Sequence, residues 1–288
     1  MFPILHTPFT SDGEVDFDSL RRLVSHAGAL AEGLVFPGFA SEFWRLNGDE
    51  IAACAEIIVQ TAPPHSRVIL NVTPQASVTA VRQAREFEKL GAHALMVLPP
   101  FTVPAPVDLL ERHLEEILGG VEIPWIVQDS AGLTGVSLDA QSLARLKSSR
   151  PLFSALKVDQ VPTGPAISRY RAMPELADLS FIVGYSGVQM LDAVRRGAEG
   201  LMGGCGHLPE DRRMLTALLN GNGYGEFARL APLLNFEMQT LELVIAVHKR
   251  LLYEAGVIAT PLSRAPSRAM DEVHAEELRM HMNAVGRQ

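Results

Sequence analysis

Lys157 has the setting in this chain that most suggests chemistry. It lies in Phe153-Ser154-Ala155-Leu156-Lys157-Val158, an otherwise largely apolar run. A lysine inside a buried strand is unfavourable unless it is paired or neutral. Burial favours the uncharged amine, the form that attacks a carbonyl carbon. The competing reading is a strand-end lysine that snorkels to solvent, or pairs with Asp129 or Asp159. Position alone leaves both open. The remaining candidates are weaker. The nine histidines show no metal-ligand spacing, so no metal is expected. His207 reads as a loop histidine and Cys205 as a small buried residue. Gly184, Gly187, Gly203, Gly204 and Gly206 follow two strand-like runs, where barrels often hold phosphate but where tight turns need glycine too. There is no P-loop and no serine nucleophile elbow.

The elements that must position Lys157 are legible in the pattern. Eight short apolar runs recur: 2–6, 33–37, 67–71, 94–98, 123–128, 153–158, 180–184 and 199–202. They lack polar alternation, which is the mark of strands buried on both faces of a parallel sheet. Amphipathic helices are expected between them. Leu20, Leu23, Val24 and Ala27 form one stripe, capped by Asp16 or Asp18. Asn47 and Glu50 have capping-box spacing ahead of Ile51, Cys54, Ala55 and Ile58. Further helices are expected over 77–90, 107–118, 138–146, 163–173 and 188–196. Eight βα units predict a (β/α)₈ TIM barrel over 1–207. Residues 208–288 are expected to supply the last barrel helix and a C-terminal helical extension of the same domain, over 224–256 and 267–285. Barrel active sites lie at the C-terminal strand ends, which draws attention to residues 38–42, Asn71, 99–101, Gln128, Asp129, 184–187 and 203–207.

Bulk properties narrow the class. The chain has 288 residues, 47% hydrophobic and 20% charged, which provides for a large core and argues against disorder. A net charge of −8 disfavours nucleic acid as a partner. Two cysteines, Cys54 and Cys205, build no disulfide framework and fit a reducing cytoplasm. The longest uncharged run, 90–107, holds Pro99, Pro100, Pro104 and Pro106 and cannot be a continuous membrane helix.

Motif order then resembles a known family, the dihydrodipicolinate synthase and N-acetylneuraminate lyase superfamily of Schiff-base lyases. Thr7-Pro8-Phe9 with Asp12-Gly13-Glu14-Val15-Asp16 is similar to its opening. Gly33 to Glu42 is similar to the strand and GTTGE loop, and 124–129 with Thr134-Gly135-Val136 to the YNVPgRTG segment. Ala155-Leu156-Lys157 is similar to the Schiff-base strand, and 196–200 to the segment before the last strand. The resemblance spans about residues 3 to 285. It implies a barrel, Lys157 as the Schiff-base nucleophile, no cofactor, a 2-oxo acid substrate and a homo-oligomer, dimer or tetramer.

The departures shape the expected activity. The family's shuttle tyrosine falls on Gln128, the relay tyrosine of PYYNKP on Phe101, and the substrate-holding arginine on Leu133. Both GTTGE threonines are lost, at Phe39 and Ala40, and Ser41 replaces a glycine. The variant loops resemble the branch that includes 2-keto-3-deoxy-L-arabinonate dehydratase. That implies dehydration of a 2-keto-3-deoxy sugar acid, in carbohydrate metabolism, rather than the synthase reaction. The substrate carboxylate is expected on the backbone at Ala40 and Ser41, with the Ser41 hydroxyl as a further donor. Gly184, Met202 and Gly203 are expected to face substrate, and Gln128 to orient a water or a substrate hydroxyl. Asp129 is an alternative proton carrier, although strand parity turns it from the axis and a turn-capping role fits it as well. A pyruvate-dependent aldolase or synthase, a non-catalytic 2-oxo-acid-binding barrel and a phosphate-binding isomerase are the rival readings.

Overall fold

The computed structural model describes residues 1–286. Among them seven parallel strands form one sheet in sequential order: β1 (Gly33–Phe36), β2 (Arg67–Val72), β3 (Ala94–Val97), β4 (Trp125–Asp129), β5 (Phe153–Val158), β6 (Ser180–Val183) and β7 (Ala198–Leu201). The eighth stave is the first apolar run, and it differs from expectation. It makes a single bridge, Ile4 with Val35, rather than a regular strand. Pro3 has no N–H to give to a ladder. The run still closes the barrel. Phe2 N donates to Leu201 O and Ile4 N to Gly203 O, both at 2.8 Å, while Leu5 N donates to Val35 O at 2.9 Å. The (β/α)₈ barrel is thereby complete.

Helices alternate with the strands. They are α1 (Phe17–Leu30), α2 (Gly48–Thr61), α3 (Ser77–Leu90), α4 (Val107–Leu118), the short α5 (Ala131–Thr134), α6 (Ala140–Ser149), α7 (Thr163–Arg171), α8 (Met190–Arg195) and α9 (Leu208–Leu219). Local chemistry sets their starts. Asp16 accepts from Ser19 N, Asn47 and Glu50 close the capping box, and Asp139 accepts from Ser142 N. Gly91 ends α3 at φ 104°, a left-handed cap that suits glycine. The longer helices lay an apolar stripe on the sheet, as Ala80, Ala84 and Phe87 do in α3.

The C-terminal segment is helical but not continuous. α10 (Tyr224–Glu237) and α11 (Leu241–Glu254) meet at 117°, and Thr240 caps α11 by accepting from Leu243 N. α12 (Glu272–Ala284) follows. No single helix among the described residues is long and apolar enough to cross a membrane.

Strand parity divides the core in two. Ile4, Val35, Ile69, Met96, Ile126, Ala155, Ile182 and Met202 pack inside the barrel. The residues that alternate with them, such as Val127, Leu156 and Val158, pack outward against the helices. Burial of each such aliphatic side chain contributes about 1.5–3 kcal/mol. Lys157 is two residues beyond Ala155 and Gln128 two beyond Ile126, so both stand on the inner face above this layer.

Candidate active site

Lys157 is 4% exposed and lines a cavity of about 250 Å³ at the C-terminal end of the barrel. Its partner is Asp159, on the same face of the chain two residues on. Lys157 Nζ lies 2.8 Å from Asp159 Oδ2. The same oxygen accepts from Gln128 Nε2 at 2.9 Å and from Ser130 Oγ at 2.7 Å. Gln128 Nε2 also donates to Ser130 Oγ at 2.8 Å. Three donors from β4, the residue after it and β5 therefore converge on one carboxylate oxygen. Gly184 makes room for the other: a methyl there would lie 1.5 Å from Asp159 Oδ1.

The wall comes from loops far apart in sequence. Phe39, Ala40, Leu133, Asp159, Met202 and Gly203 contribute, as do Met238, Gln239 and Thr240 from the bend between α10 and α11. Tyr185 and Ser186 line it with φ of 48° and 47°. Such values are strained for residues with a side chain and cluster where a site demands them. Burial, and then the nearby charge of Asp159, raise the pKa of the Tyr185 phenol. Phe39, Phe43 and Phe101 pack at the mouth, with Phe39 and Phe101 ring centroids 6.1 Å apart. A larger groove of about 450 Å³ lies between α11 and α12, remote from the strand ends.

Two expected site residues are placed elsewhere. Ser41 is fully buried and its hydroxyl is committed: it donates to Leu5 O and accepts from Gly38 N. Its N–H donates to Gly38 O. Ser41 therefore closes a turn and has no donor left for a carboxylate, whereas Ala40 does reach the cavity. Asp129 has outward parity. Its carboxylate accepts from Tyr170 Oη at 2.5 Å and Ser137 Oγ at 2.9 Å, in the helical layer. Burial raises its pKa, against those hydrogen bonds. Gln128 faces inward as expected, but its amide holds Asp159 and Ser130. Gly184 meets Asp159 rather than open space. Met202 and Gly203 line the cavity. Tyr185 and Ser186 fall within the 184–187 strand end that the sequence marks, though it gives them no role, and the 238–240 bend is the part of the wall that sequence reasoning passed over. Asp159 entered it only as a possible ion-pair partner, although its parity with Lys157 was the signal for more.

One buried cluster has ligand-type side chains. His207, Glu237 and His248 are close enough together to hold an ion. Their hydrogen bonds describe an ion-pair cluster instead. Gly206 N donates to His248 Nδ1 at 2.7 Å, which leaves Nε2 as the ring's donor, facing Glu237 Oε2 at 3.5 Å. A protonated ring nitrogen has no lone pair for a metal. His207 lies between Asp211 and Glu237, each 3.1 Å away. Burial opposes its charge, but the two carboxylates prevail and hold its pKa well above the ordinary value. Glu237, despite burial, is held well below the carboxylate range by His207 and His248. The cluster backs the cavity wall. A methyl on Gly204 would lie 2.4 Å from His248 Nε2.

A sequence model of the dihydrodipicolinate synthetase family matches residues 1–285. The chain belongs to that family. Its members are Schiff-base lyases, and the chain is an enzyme of that class. Curated relatives of this family member carry two kinds of name. A 4-hydroxy-tetrahydrodipicolinate synthase 2 of Streptomyces coelicolor is 28% identical, over 97% of this chain and 93% of its own length. An L-2-keto-3-deoxyarabonate dehydratase of Azospirillum brasilense is 26% identical, over 96% and 90%. Among solved structures, the dihydrodipicolinate synthase of Rhodopseudomonas palustris superposes with a TM-score of 0.91 at 23% identity, covering 98% of this chain and 96% of its own. A prophage protein of E. coli in this family, solved with pyruvate, gives 0.89 at 19%, covering 99% and 97%. At those identities the structural likeness concerns the fold.

Proposed function

We propose that Lys157 forms a Schiff base with C2 of a 2-oxo acid, and that the reaction is dehydration of a 2-keto-3-deoxy sugar acid. The observation that carries this reading is a buried amine lining a cavity at the strand ends, 2.8 Å from a buried carboxylate. A buried charge pair is seldom worth its desolvation for stability alone, so a reactive lysine is the better account. Substrate lies against Ala40, Met202 and Gly203, and Ser186, Gln239 and Thr240 offer polar groups to its hydroxyls. Leu133 lines the cavity where the family's arginine would hold an acidic partner. That substitution supports a neutral hydroxylated tail over a second carboxylate, because a bidentate Arg–carboxylate contact has no replacement at this position. The Azospirillum relative's name points the same way. A homo-oligomer is part of the proposal.

The test is reductive trapping. Incubation with pyruvate or a 2-keto-3-deoxy acid, followed by borohydride, should add the mass of one substrate less one oxygen atom, since water leaves on Schiff-base formation and two hydrogens enter on reduction, and Lys157→Ala should remove it. A Lys157→Ala protein that keeps the adduct or a tenth of the turnover overturns the Schiff-base reading. Robust condensation of pyruvate with aspartate semialdehyde by the unaltered protein overturns dehydration in favour of synthase activity.

A further inference from the structure

We infer that Asp159 is the proton carrier of the Lys157 reaction, in the place of the two tyrosines that Gln128 and Phe101 lack. The inference rests on the Schiff-base reading above. A carrier must touch the reacting nitrogen, lie on the cavity and hold a fixed position. Asp159 meets all three conditions. Its Oδ2 is 2.8 Å from Lys157 Nζ. It lines the cavity beside Lys157. Gln128, Ser130 and the close approach of Gly184 hold its carboxyl from three sides. Gln128 itself has no titratable proton to give, and Asp129 is engaged with Tyr170 and Ser137 behind the sheet.

Besides Lys157 itself, Asp159 is the one side chain that gains and loses a proton in these steps. Asp159 takes a proton from the Lys157 ammonium, which leaves a neutral amine and a neutral acid. The nitrogen lone pair forms the N–C2 bond, the carbonyl π pair moves to oxygen, and one N–H proton passes to that oxygen. The C2–OH bond then breaks as Asp159 gives its proton to the hydroxyl. Water departs and the nitrogen lone pair makes the iminium. The Asp159 carboxylate next takes a C3 proton. The C3–H pair becomes C2=C3 and the C=N π pair settles on nitrogen. In dehydration that enamine re-forms the iminium and a C3=C4 bond. The C4–O pair leaves with oxygen, which takes the proton from Asp159 as water.

Pyruvate in D₂O isolates the C3 step, whatever the natural substrate. Iminium formation is read by borohydride trapping at equilibrium, and proton transfer by loss of the methyl signal in NMR. Asp159→Asn keeps the shape and the place between Gln128 and Ser130. The expected result is a trapped adduct with methyl exchange per adduct lowered about 10²–10⁴-fold, the usual contribution of a general acid–base group. Exchange per adduct that falls less than tenfold overturns the assignment. So does a folded variant that forms no adduct at equilibrium, since Asp159 would then be a support for the amine. Absence of any adduct on the unaltered protein marks failure of the Schiff-base reading instead.

Discussion

Replacing Gly184 by alanine asks whether the carboxyl beside Lys157 must sit where it does. The added methyl would lie 1.5 Å from Asp159 Oδ1, 2.6 Å from its Cγ and 3.2 Å from Lys157 Cε. Non-bonded heavy atoms settle at about 3.5 Å, so Asp159 must retreat by about 2 Å. The hydrogen bonds to Oδ2 from Lys157, Gln128 and Ser130 cannot survive that shift. Overpacking of this kind costs about 1–3 kcal/mol, and a chain of this size loses roughly 2–4 °C of Tm per kcal/mol. Calorimetry should therefore show a fall of about 2–12 °C. Displacement of a reacting group by even 1 Å can lower rates about 10²-fold, so methyl exchange from pyruvate should drop by about that factor or more. Gly203→Ala is the control. It lies on the same cavity, but its methyl would meet nothing nearer than 3.7 Å. Its Tm should stay within about 1 °C of the original protein, because 3.7 Å is ordinary contact. A Gly184→Ala protein with unchanged Tm and exchange would refute the packing argument and, with it, the required position of Asp159.

Three further outcomes follow from the buried groups. His207 gains its proton affinity from Asp211 and Glu237, so its stabilisation is complete below the unfolded value of about 6.5 and is lost as pH rises through the raised folded value. His207→Gln should lose about 3–5 kcal/mol at pH 6 by urea unfolding, and the gap should narrow in alkali; a gap independent of pH contradicts this. Burial pushes the Cys54 and Cys205 thiols up to about 12. Iodoacetamide at pH 8 should label neither in the folded protein and both in urea, and rapid native labelling would show that one is reachable. Gln128→Ala removes one of three donors to Asp159. Methyl exchange should fall by about tenfold, less than for Asp159→Asn, since positioning contributes less than proton transfer itself. An equal loss would make Gln128 the more important group.

Periodicity carried much of this protein in one dimension. Apolar runs without alternation mark a strand buried on both faces, and helix caps are local, so the Asn47 and Glu50 capping box could be read in place. Strand parity likewise separated inward Lys157 from outward Asp129, because successive side chains on a strand point to opposite faces. The first run was harder: Pro3 cannot feed a ladder, and only its neighbours on both sides show that it closes the barrel. Three-dimensional contacts decided the rest. Ser41 is a donor in sequence, yet the chain spends that donor on Leu5 O, 36 residues away. Gln128 and Asp159 are 31 residues apart, and pairing of β4 with β5 puts them in contact. The 238–240 bend reaches the cavity only because α10 and α11 fold back at 117°. The cluster of His207, Asp211, Glu237 and His248 assembles from three helical segments and shows no ligand spacing along the chain. Spacing along a chain reports contacts within one element, whereas a site built from loop ends depends on how distant elements pack.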